Sequence, residues 1–119
     1  MDLKINNISG HGDASEEYVY LTVENDCDVG KYMLADSTYT QDDKISNKLR
    51  HVYWFPDKKV KKGDAVVLRT GKGKNASEPL DGGGTKHRFY WNLDSAIWND
   101  DGDAAVLLHV DDWTQKKAK

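Results

Sequence analysis

Apolar positions along this chain come in short alternating bursts divided by turn formers, and nowhere do they hold a helical period for long. Tyr18 to Val23 is the clearest burst. Val19, Leu21 and Val23 fall on one face of a strand, and Tyr18, Tyr20 and Thr22 on the other. Leu3-Lys4-Ile5 opens an earlier one, and Tyr32 to Ala35, Val52 to Phe55, Arg88 to Trp91 and Ala104 to Val110 read as further strands. Ala65 to Thr70 is nearly continuously apolar until Arg69, which predicts a strand at a sheet centre or between two covered faces. The pattern is that of an all-β sandwich or barrel.

Three connections interrupt it. Ser9 to Glu17 is polar, carries two glycines and reads as a loop. Ser37 to Arg50 is a long polar insertion, where Ile45, Leu49 and Val52 are spaced loosely enough for one helical turn. Gly71 to His87, with Gly82-Gly83-Gly84 at its centre and Leu80 as its one sizeable apolar anchor, reads as a mobile excursion. After Trp113 the tail 114–119 is basic, offers nothing to bury and is expected to fray.

Length and composition narrow the class. A chain of 119 residues is one domain, able to bury about two-thirds of its unfolded surface. One cysteine excludes a disulfide framework, and acidic neighbours should raise the pKa of Cys27, which argues against a nucleophile. No apolar run resembles a signal peptide or a membrane span, so a cytoplasmic protein without membrane insertion is the expectation. Net charge is −3, yet Lys44 to Lys74 holds ten basic residues against Asp57 and Asp64, leaving that segment at +8 and the remainder at −11.

Candidate chemistry is thin. Gly71-Lys72-Gly73-Lys74-Asn75-Ala76 matches a dinucleotide fingerprint, but Ser77-Glu78-Pro79 cannot start the helix that would hold a pyrophosphate, so no cofactor is expected. Asn99-Asp100-Asp101-Gly102-Asp103 suggests calcium. An EF-hand frame centred on Gly102 would place Ile97 and Leu108 at ligand positions, so a hairpin turn is the better reading. His11, His51, His87 and His109 lack metal-ligand spacing, and no Ser or Cys stands in a nucleophile motif. Of the tryptophans, Trp98 is expected in the core and Trp113 at the surface, with Trp54 and Trp91 undecided. The basic signal is Lys58, Lys59, Lys61 and Lys62. A hairpin joining Val52–Phe55 to Ala65–Thr70 would put them at one end of the domain, with Lys72 and Lys74 about 20 Å away.

Tyr90-Trp91, Trp98-Asn99, Gly102-Asp103 and Leu107 together resemble the closing segment of the lamin-tail domain. The likeness extends to Tyr18-Val19-Tyr20-Leu21, to Tyr32, Leu34 and Asp36, to Tyr53, Phe55 and Pro56 with Val60-Lys61-Lys62-Gly63, and to Val66 through Gly73. It implies an immunoglobulin-like β-sandwich of about seven to nine short strands over residues 1–113, with Trp98, Phe55, Leu21, Val67 and Leu107 as core. Heptads and a prenylation signal are missing, the end being Lys-Lys-Ala-Lys. The likeness is therefore to stand-alone bacterial lamin-tail-like domains rather than to filament proteins. The expected function is a non-enzymatic binding or scaffolding module whose partner is another protein. One alternative is weak, sequence-independent nucleic-acid binding through Lys58, Lys59, Lys61 and Lys62, supported by Lys72 and Lys74. Another is calcium-dependent binding or hydrolysis on the acidic loops.

Overall fold

The alternation at Tyr18 to Val23 is strand β2 (Tyr18–Val23), with Val19, Leu21 and Val23 buried and the other three half-exposed. It lies between β1 (Leu3–Ser9) and β7 (Ala65–Arg69) in a five-stranded sheet of order β1-β2-β7-β9-β8, completed by β8 (Ala76–Pro79) and β9 (Thr85–Tyr90). A bulge between Ile5 and Asn7 shifts the register of β1, so Leu3, Ile5 and Ile8 all pair with the buried residues of β2. β7 takes the central position that its apolar run predicts.

The second sheet has the order β10-β4-β5, built from β4 (Tyr32–Thr38), β5 (Val52–Trp54) and β10 (Asp103–His109). A small ladder pairs β3 (Cys27–Asp28) with β6 (Lys59–Val60), and a short 3-10 turn, Val29–Lys31, leads into β4. The computed structural model describes residues 1–39, 42, 44–98 and 102–119, and among them no α-helix occurs. The chain is all-β, its described residues forming ten strands in three sheets, an arrangement compatible with a β-sandwich. Among the described residues, no helix is long and apolar enough to cross a membrane.

One core joins the two larger sheets: Leu3, Val19, Leu21, Val23, Val66, Leu68 and Phe89 from the first meet Tyr32, Leu34 and Phe55 from the second. Phe55 stacks edge-on against Phe89 at 5.2 Å and Trp98, 4 % exposed, closes one end. Leu107 is only half-buried, packing against this core from β10. Val67 is buried but stands outside the cluster, because its register partners Tyr20 and Arg88 place it on the opposite face of the sheet.

Two expectations about connections change. Gly71 to His87 is not an excursion, since it supplies β8 and the first half of β9, and β9 runs parallel to β7. Gly82, Gly83 and Gly84 all take positive φ (85°, 110° and 88°), so they form the turn that reverses β8 into β9. Nor do Val52–Phe55 and Ala65–Thr70 form a hairpin, since β5 and β7 belong to different sheets. The Asp28 carboxylate accepts the amides of Gly30 and Lys58, and Val29 donates to the Lys58 carbonyl, drawing residues 58–60 onto β3. Although the spacing in 37–50 allows one helical turn, its described residues carry none. Ile45 bridges Tyr39, and Ser37 Oγ donates to the carbonyls of Ser46 and Lys48.

Candidate functional site

β5 is the outermost strand of its sheet, and alternation divides its side chains sharply. Tyr53 turns inward onto Phe55 and Trp91, with ring centroids 5.1 and 5.9 Å away. Val52 and Trp54 turn outward, 47 % and 42 % exposed. Register places Trp54 beside Met33 and Leu108, and Val52 beside Val106 and the buried Ala35, so apolar side chains line the outer face of this sheet. Trp54 is held in place, its indole Nε1 donating to the Gly30 carbonyl at 2.7 Å. Phe55 donates its amide to Tyr32, so Tyr53 bonds β4 and the backbone groups of Val52 and Trp54 point away from the sheet. No hydrogen bond to either of those amides is formed among the described residues.

The chain's own tail covers part of this face. Trp113, half-exposed, meets Trp54 edge-on at 5.0 Å, and it follows Asp111 and Asp112. At the other end of β5 a bulge sets Arg50 and His51 opposite Asp36. The Arg50 amide donates to the Asp36 carbonyl, the Asp36 amide to the His51 carbonyl, and the His51 amide to the Asp36 carboxylate at 2.6 Å. Arg50 also reaches Asp103 at 2.7 Å.

The predicted lysines do not assemble into one cluster. Lys58 donates to Ser77 Oγ on β8 at 2.7 Å, and Lys72 is paired with Asp94 at 2.9 Å. Lys59, Lys61, Lys62 and Lys74 are exposed, and their ammonium groups meet no carboxylate among the described residues. The acidic stretch proposed for calcium has Asn99, Asp100 and Asp101 outside the described residues. No group of metal-ligating side chains forms among the rest.

A constellation invisible in the sequence joins Ser77, His87 and Asp64. Ser77 Oγ lies 3.1 Å from His87 Nδ1, and His87 Nε2 lies 3.0 Å from Asp64 Oδ2. Because the Lys58 ammonium can only donate, the Ser77 hydroxyl keeps its proton for Nδ1, and a neutral ring then carries its proton on Nε2 toward Asp64. This is the order of a hydrolase triad. Its setting is that of a clasp. Ser77 sits inside the edge strand β8, and none of the three residues lines a described cleft. Asp64 also accepts the amides of Lys61 and Thr85, tying three segments together. Burial pushes the Asp64 carboxyl up, but the bonds from His87 and the two amides outweigh it and hold the group below the ordinary value.

Glu17 is a second buried acid that the sequence reading missed, lying where the chain looks like a polar loop. Its carboxylate accepts the amides of Gly12, Ile97 and Trp98 at 3.0, 3.0 and 3.1 Å. Cys27 behaves as expected, with burial first and Asp2, Asp28 and Asp26 after it pushing the thiol up to about 11. No family model, curated protein or solved structure matches the chain. The site must therefore be read from its own geometry.

Proposed function

We propose that this chain is a non-enzymatic binding module of the lamin-tail, immunoglobulin-like kind, and that it captures an extended segment of another protein along β5. The observation that carries the reading is the open edge itself: outward-pointing backbone groups at Val52 and Trp54 beside an anchored, exposed indole. An added strand would satisfy the edge, and its alternate side chains would lie over Trp54, Val52 and Met33. The immunoglobulin-like assignment rests on the residues that resemble the lamin tail and on two sheets sharing one core. The parallel β7–β9 pair departs from the purely antiparallel pattern.

Charge selects the partner's chemistry. β5 lies within the +8 segment, with exposed Lys48 before it and Lys59 after it, which favours an acidic strand. The tail supports the same choice, since the residue stacked on Trp54 follows two aspartates. Peptides selected from a displayed random library should alternate apolar residues and carry acidic flanks. Trp54→Ala should weaken their binding by tenfold or more, whereas Trp113→Ala, which clears the indole, should strengthen it. Selected peptides that bind both variants like the unaltered protein would refute the site.

A further inference from the structure

Four strands end the two larger sheets, and they are not alike. β1 is broken by its bulge, β8 has four residues and ends in Pro79, and β5 offers three residues around its anchored indole. β10 runs for seven residues in unbroken register with β4, and its ionisable side chains stand only at its two ends, Asp103 and His109. No lysine, proline or bulge closes it to a further strand.

The edge of β10 is open. Tyr39 donates its amide to the Gly102 carbonyl and Val110 to the Lys31 carbonyl, so the even-numbered residues of β10 bond β4. The backbone groups of Ala105, Leu107 and His109 therefore point away from the sheet. No hydrogen bond to them forms among the described residues. Leu107 is half-buried although its neighbour Leu34 is fully buried, and Ala105, Val106 and Leu108 are half-buried too. Solvent thus reaches side chains on both faces of this strand. The tail leaves the edge clear, since Trp113 lies on Trp54 at the far side of the same sheet.

The seven residues also read as their own complement. Laid antiparallel on itself about Val106, Asp-Ala-Ala-Val-Leu-Leu-His sets Asp103 against His109, Ala104 against Leu108 and Ala105 against Leu107. Each small side chain meets a large one, the acid meets the imidazole, and Val106 meets its own copy on the axis. This register is one the backbone allows. Ala105 faces Leu107 and Asp103 faces His109, all odd-numbered positions on the outward side, where facing residues exchange both hydrogen bonds. Asp103 already holds Arg50, and His109 leans to Asp111 at 3.4 Å, so the ends add less than the middle.

We propose that β10 pairs with the β10 of a second copy of this chain, antiparallel about a two-fold axis at Val106. The two three-stranded sheets then become one continuous sheet, and Val106, Leu107 and Leu108 are covered. A contact of one surface with itself closes at two copies. The interface is small, which places the association in the micromolar range. Both β5 edges stay at the outer ends of the joined sheet, so the dimer neither requires nor blocks strand capture there.

Sedimentation velocity from low-micromolar to near-millimolar protein tests the pairing. The mass should rise from one copy to two and stop there. Val106→Lys sets like charges face to face on the axis and should weaken association about fivefold or more, as should Val106→Glu. Mixed together, the two variants should recover a dimer holding one chain of each in native mass spectrometry, a result that misfolded chains could not give. Trp54→Ala should leave the dimer unchanged. Amide hydrogen exchange of the unaltered protein needs no variant: Ala105 and Leu107 should exchange fast when dilute and slowly when concentrated. A monomer at every concentration, growth beyond two copies, a dimer lost on Trp54→Ala, folded Lys and Glu variants that do not pair, or concentration-dependent protection that misses Ala105 and Leu107 would overturn the inference.

Discussion

Trp98 and Glu17 show how one buried pair of residues can close an end of this domain. Trp98 fills the space under the loop at 91–98, ring to ring with Trp91 at 6.4 Å, and its amide is one of three that the Glu17 carboxylate gathers. Trp98→Ala leaves a cavity in that corner and should cost about 3–5 kcal/mol in a denaturant titration. A loss within about 0.5 kcal/mol would place the indole outside the core. The size and position of Trp98 were legible in the sequence. Glu17 was not, because an acid beside Glu16 in a polar loop gives no sign that it will point inward, and two of its three partners lie 80 and 81 residues away.

At the scale of elements, the strands with apolar runs of their own were readable and the connections were not. β2 shows its burial as strict alternation, and β4, β7 and β10 are apolar runs rather than alternating ones. β8 (Ala76–Pro79) does not, because its residues are small, polar or proline, and it is a strand only through pairing with β9. What pins that pair is the clasp of Asp64, His87 and Ser77, which links residues distant in sequence. Since the Asp64 carboxyl is held low in the folded state, its contribution is complete above roughly pH 5. It starts to erode near the ordinary aspartate value of about 3.9 and is lost as pH falls through the folded value. Asp64→Asn should therefore lose about 1.5–3 kcal/mol at neutral pH and show a shallower decline of stability below pH 5. Parallel acid limbs for the two proteins would mean that the clasp carries no stability.

Across the whole molecule the charge asymmetry of the sequence is spread between layers. The +8 segment runs through β5, β6 and β7, and so contributes to both larger sheets. Net charge predicted no binding surface, because sheet register rather than chain order decides which residues share a face. The central claim is that β5 is an edge held open for a partner strand. Residue-resolved amide hydrogen exchange tests it most directly. Val52 and Trp54 should exchange far faster than Tyr53 and Phe55 in the free protein, and should become protected when a selected acidic peptide is added. Uniform protection along β5 in the free protein, or protection by the peptide elsewhere with Val52 and Trp54 unchanged, would contradict the account.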